Sequence, residues 1–206
     1  MSTTGGLFVV AFVVGLALLS DELGAFGDSD GTFVEHFSSG SQRGADIAGS
    51  VALAGAAAAF VHFTHLIASR QSKALDRSSH SDLVRAAGML TGAFMFVAAL
   101  ALVTVPLSIS LGEYFDEDGG ALGEGQAVLP QFGFVVLVFG AMIPAAVTIM
   151  AVARLGLFPR WLTRSSFPVA VLLAVSSGSV MTMVLLPIWV ALSTVAMTRS
   201  GGQAAN

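Results

Sequence analysis

Residues 47–68 read IAGSVALAGAAAAFVHFTHLIA, with no acid, no Lys or Arg and no proline. An α-helix rises 1.5 Å per residue, and a hydrocarbon core of about 30 Å needs roughly 20 apolar residues to cross it. This stretch is long enough. Asp46 stands at one end of it and Arg70 just beyond the other, so the charge changes sign across the segment. A membrane-spanning helix is the reading, and the rest of the chain follows from it.

Four further apolar segments match the first in character. The expected spans are about 4–20, 47–68, 86–110, 130–153 and 167–197. Of the 206 residues, 55% are hydrophobic and 11% charged, whereas soluble domains carry about 25% charged residues. That leaves too little charge for an ordinary water-facing surface, so residues 1–206 are expected to form a single integral membrane domain. Strands are excluded because the segments lack the period-two alternation of a barrel. Helices satisfy every backbone N–H and C=O without water. The expected fold class is therefore all-α, a polytopic bundle of five transmembrane helices.

The loops alternate in charge. Asp21, Glu22, Asp28, Asp30, Glu35 and Asp46 lie between the first two segments, against Arg43 alone. Arg70, Lys73, Arg77 and Arg85 follow the second, Glu113, Asp116, Glu117, Asp118 and Glu124 the third, and Arg154, Arg160 and Arg164 the fourth. Short loops rich in Lys and Arg stay cytoplasmic. Five spans then put the N-terminus inside and the C-terminus, with Arg199, outside. The first segment has a second reading as a cleaved signal peptide, but no basic residue precedes it and Ala25-Phe26-Gly27 is a poor cleavage site; an uncleaved helix is expected.

Small residues mark close helix contacts in lipid. Gly88 and Gly92 form a GxxxG spacing, and Gly140 and Gly178 sit among alanines and serines of later segments. Two uses are open: packing within one bundle, or docking of a second subunit through the Gly88/Gly92 face. Pro106, Pro144 and Pro187 fall inside segments three to five, where each removes a backbone hydrogen bond and kinks its helix. A faint echo relates segments two and three to four and five, each a hairpin around a basic turn.

Chemistry is sparse. There is no cysteine, and every Asp and Glu falls outside the five expected spans, so no catalytic residue is assigned and an enzyme is not expected. Ser176 to Ser179 reads SSGS rather than GxSxG. No phosphate loop or dinucleotide motif is present, no cofactor is implied, and no basic stripe suits nucleic acid. His62 and His65, spaced i and i+3, are the one candidate metal pair, with His80, Asp76 or Asp82 to complete it. The bland alternative is two interfacial side chains at headgroup level. Asp28-Ser29-Asp30-Gly31 and Asp116-Glu117-Asp118-Gly119 suggest calcium loops but fail the EF-hand spacing. Trp161 with Arg160 and Arg164, and Trp189 near the far end of the last segment, are expected lipid-interface anchors.

The elements Glu35-His36-Phe37 through Arg43, LFPRWL at 157–162, and Ile188-Trp189-Val190 with Ser193 resemble a family of small multi-pass membrane proteins of actinobacteria. The likeness runs over roughly residues 33–196. It implies a bacterial plasma membrane and a helical topology, and it implies no catalytic or binding residues. The expected partners are the lipid bilayer and a membrane protein or a second copy of the chain. The expected role is an accessory or scaffolding subunit of a membrane assembly. The alternative is a small transporter or channel subunit with a path lined by Thr148, Ser176, Ser179 and Thr182.

Overall fold

Apolar sequence without strand periodicity folds here as helix. The computed structural model describes residues 2–20, 36–72, 78–111, 124–175 and 180–203. The helices are α1 (Ser2–Leu18), α2 (Gly40–Ser72), α3 (Ser78–Ser110), α4 (Glu124–Val135), α5 (Met142–Ala153), α6 (Arg160–Val175), α7 (Val180–Met183) and α8 (Leu185–Gln203). A π-helical turn, Val136–Ala141, joins α4 to α5. Three helical stretches, Gly40–Arg70, His80–Ser110 and Val128–Ala153, are long and apolar enough to cross a membrane. Two shorter apolar helices, Thr3–Leu18 and Leu185–Thr198, accompany them. Large apolar side chains face outward on every rod, among them Leu7, Val51, Met89, Phe132, Val171 and Ile188. Water does not tolerate such a surface over a whole monomer. The protein is a membrane protein.

The segment expected as a single fifth span, 167–197, is not one helix: it runs through the end of α6, through α7 and into α8. Trp189 donates its indole N–H to Ser166 Oγ at 2.8 Å. In one continuous helix, residues 23 positions apart would be separated by about 34 Å. The helices α6 and α8 therefore lie side by side as an antiparallel pair. The described residues form six rods: α1, α2, α3, α4 through α5, α6, and α7 with α8. An even number of antiparallel rods returns the last to the end of the bundle where the first began. Gly5 of α1 accordingly sits against Thr194 of α8. α1 therefore begins and α8 ends at the end of the bundle where Arg70, Arg85 and Arg154 stand, whereas five spans with termini at opposite ends were expected. In sequence, 31 residues with a serine-glycine cluster in the middle was more than one crossing requires.

The rods form a ring of neighbours. α1 packs on α2 and α8, α2 on α3, α3 on α4 and α5, α5 on α6, and α6 on α8. One contiguous apolar core fills the centre, including Phe8, Phe12, Phe60, Phe63, Met95 and Leu137, all fully buried. The Phe8 ring lies 5.4 Å from that of Phe12 and 5.1 Å from that of Phe60, in the tilted arrangement aromatic pairs favour.

Glycine sets the closest approaches. A Cβ on Gly15 would stand 3.1 Å from the Gly49 carbonyl and from the Leu53 nitrogen, so α1 and α2 touch backbone to backbone. Gly88 meets Thr64, Gly92 meets Val61, and Gly140 meets Phe94. The GxxxG face is thus used inside the chain, between α2 and α3. Gly178 lies outside the described residues, as do both Asp-x-Asp-Gly loops.

The prolines account for the irregularities. Pro144 has no N–H, and its ring presses on the carbonyl four residues back, that of Gly140; the widened π turn ends at Ala141, just ahead of it. Pro187 falls four residues after Met183, where α7 stops and α8 begins. Pro106 stays within α3, and Ser110 Oγ donates to its carbonyl at 2.7 Å. Past α5, Gly156 takes φ +72°, the left-handed conformation that ends helices at low cost only in glycine. Its turn delivers the chain to α6.

Candidate functional site

α2 and α3 border a groove of about 680 Å³. It is lined by Ala54 and Ala58 of α2 and by Met89, Gly92 and Phe96 of α3. At one end stand His62, His65 and Arg85. This polar end is the end of the basic turn between α2 and α3. Both imidazoles are exposed. Arg85 is half-buried, with one guanidinium nitrogen 3.6 Å from the exposed carboxylate of Asp82. Its Nε is buried and has no hydrogen-bond partner among the described residues.

The pair His62 and His65 therefore faces outward into a groove and has an arginine for company. Asp76 lies outside the described residues. Among the described residues, no three His, Asp or Glu side chains are grouped to hold a metal ion. A smaller hollow, about 230 Å³, lies between α5 and α6 and also carries an arginine, Arg154, with Met150, Thr163 and Phe167. Both hollows are lined by an arginine that neighbours a basic turn, Arg85 and Arg154.

At the opposite end, a helical turn at residues 36–38 precedes α2. His36 Nε2 donates to Asp46 Oδ2 at 2.9 Å, and the two side chains are 7% and 1% exposed. Arg43 donates to the carbonyls of Phe37 and Ser38. Phe37 buries against Val105 and Ile109 of α3, and the His36 ring meets it edge-on at 5.0 Å. The sequence placed His36 and Asp46 in a solvated acidic loop. In the structure α2 begins at Gly40, so Asp46 is inside a helix and buried. Burial of a carboxylate is costly unless it is bonded, and His36 supplies a bond. The pair clamps the entry to α2 onto the end of α3. A histidine ten residues before an aspartate was a signal only once the helix start was known.

Among the expected anchors, Trp161 is 56% exposed, and Arg160 and Arg164 are exposed beside it. Trp189 is different. It is 2% exposed, bonded to Ser166, and its ring meets Phe158 edge-on at 6.2 Å. It is a core residue of the basic half of the bundle rather than a side chain at a lipid interface.

The hydroxyls inside the bundle turn back on their own helices. Thr91 donates to Ala87, Thr148 to Pro144, Ser166 to Leu162 and Thr194 to Val190, at 2.7 to 2.9 Å. Hydroxyls in apolar surroundings satisfy themselves in this way. Ser50 and Ser193 Oγ are buried without a partner among the described residues. Of the residues named for a transport path, Thr148 is closed off by its own helix, Thr182 is half-buried, and Ser176 and Ser179 lie outside the described residues.

No protein-family model, curated protein or solved structure matches the chain.

Proposed function

We propose that this protein is a six-pass protein of a bacterial plasma membrane, with both termini and both basic turns in the cytoplasm, and that it serves as a non-catalytic accessory or scaffolding subunit of a membrane assembly. The observation that carries the role is the filled interior. The ring of rods surrounds packed aromatic and aliphatic side chains, and the hydroxyls of Thr91, Thr148, Ser166 and Thr194 are bonded within their own helices. A carrier needs polar groups facing a wet path at membrane depth. A scaffold needs a stable dry bundle and an outer surface that other helices can approach. The outward positions Gly44, Ala48, Gly55 and Ala58 of α2 are small, which suits close approach. The cytoplasmic assignment rests on Arg70 and Arg85, with Arg154, Arg160 and Arg164, in two short turns. The likeness to an actinobacterial family, proposed on residues 33–196, supplies the bacterial membrane.

Purification of the tagged chain from its native membrane in mild detergent tests the role. The expected result is a stoichiometric membrane complex, identified by mass spectrometry, together with no solute flux when the chain alone is reconstituted in vesicles. A lone monodisperse protein that supports flux would overturn it in favour of a transporter.

A further inference from the structure

The groove between α2 and α3 joins two chemistries on one surface. Its walls are apolar over most of their length, and its one polar end carries an arginine and two imidazoles. Arg85 and Phe96 lie eleven positions apart on one helix. At 1.5 Å per residue that is about 16 Å, close to half of a hydrocarbon core of about 30 Å. The groove therefore has the depth of a single leaflet, with its polar end at the level of the headgroups. Its volume, about 680 Å³, falls within the roughly 300–1,000 Å³ of sites that enclose small molecules.

We propose that this groove binds one anionic phospholipid of the leaflet on the basic side. The phosphate is held by Arg85 with His62 and His65, and an acyl chain lies along Ala58, Met89 and Phe96. Guanidinium matches phosphate in shape and charge, and imidazole adds N–H donors. The Arg85 side chain is 36% exposed, so part of its guanidinium is accessible to such a group. Asp82 does not compete strongly, because its contact with Arg85 is long and exposed. A free phosphate would leave the apolar walls unfilled, and a wholly apolar guest would leave the arginine without a counter-charge. Basic pockets between helices at the cytoplasmic face recognise lipid headgroups on the same physical grounds.

The proposal rests on the bilayer being the chain's surroundings and not on the scaffolding role. Native mass spectrometry of the full chain in mild detergent, titrated with phosphatidylglycerol, phosphatidylcholine or inorganic phosphate, tests it. Wild-type protein is expected to prefer phosphatidylglycerol over phosphatidylcholine and to ignore inorganic phosphate. Arg85→Gln should weaken phosphatidylglycerol binding by about fivefold, the worth of one basic residue at a membrane surface, with phosphatidylcholine unchanged. Ala58→Phe should block the groove and weaken both lipids. His65→Leu, at an exposed position, gives a second reduction in headgroup preference should Arg85→Gln fail to fold. Equal binding of the two lipids by wild type, preference retained in Arg85→Gln or His65→Leu, or displacement of the lipid by phosphate would each overturn the assignment. A chain that stays monodisperse without detergent would instead overturn the membrane environment itself.

Discussion

The indole N–H of Trp189 and the hydroxyl of Ser166 meet at 2.8 Å, buried, across a reversal of the chain. Ser166 Oγ is itself bonded to the Leu162 carbonyl at 2.7 Å, so it accepts from Trp189 while donating to its own helix. Two helices too short to be certain spans by hydropathy are thereby tied into a pair. Every later consequence for topology follows from that one tie.

In the proposed six-pass topology the hairpin of α6 and α8 puts the start of α1 and the end of α8 on one side. Reporters fused at the N-terminus, after Arg77 and after Gln203 should all report the same compartment. A C-terminal reporter that reads the opposite compartment from the other two would show that the last rods form one crossing.

Ser166→Ala should destabilise the bundle by about 1–3 kcal/mol, the cost of a buried donor left without its acceptor. Trp189→Phe should cost a similar amount or more, because it also loses contact with the packed core. Thermal unfolding in detergent measures both. If Ser166→Ala leaves the midpoint unchanged, the hydrogen bond does not hold the pair.

His36 and Asp46 should behave as a coupled pair. Removing either alone breaks a buried hydrogen bond, at about 1–3 kcal/mol. The double substitution His36→Ala with Asp46→Ala should cost less than the sum, with a coupling of about 0.5–3 kcal/mol as found for contacting residues. Additive single effects in a denaturation series would mean that the two side chains do not interact.

Glycines divide into those that touch and those that do not. Gly88→Ala drives a methyl into Thr64 and should cost about 1–3 kcal/mol by overpacking. Gly55 has nothing near its missing Cβ, so Gly55→Ala should be neutral or stabilising by up to about 1 kcal/mol through helix propensity. The difference between the two variants, read from unfolding midpoints, is the measurement; equal midpoints would contradict the α2–α3 packing.

Much of the candidate groove was legible before the fold. His62 and His65 were visible as a pair, Arg85 as a basic residue at the start of a span, and Gly88 and Gly92 as a contact face. What joined them was the pairing of α2 with α3, which aligns positions 20 to 40 residues apart. The His36–Asp46 bond and the burial of Trp189 left no comparable trace. A tryptophan near a helix end suits a lipid interface as well as a core, and nothing local to Trp189 separates the two.

Hydropathy is a sum over neighbours in sequence, so composition and run length alone were enough for helices, for a membrane environment and for the alternation of charge between turns. Whether 31 apolar residues cross once or turn back depends on a contact between Ser166 and Trp189, and that contact exists only after the rods have packed. The end of the bundle at which α8 finishes, and the groove that Arg85 lines, were therefore decided by tertiary structure.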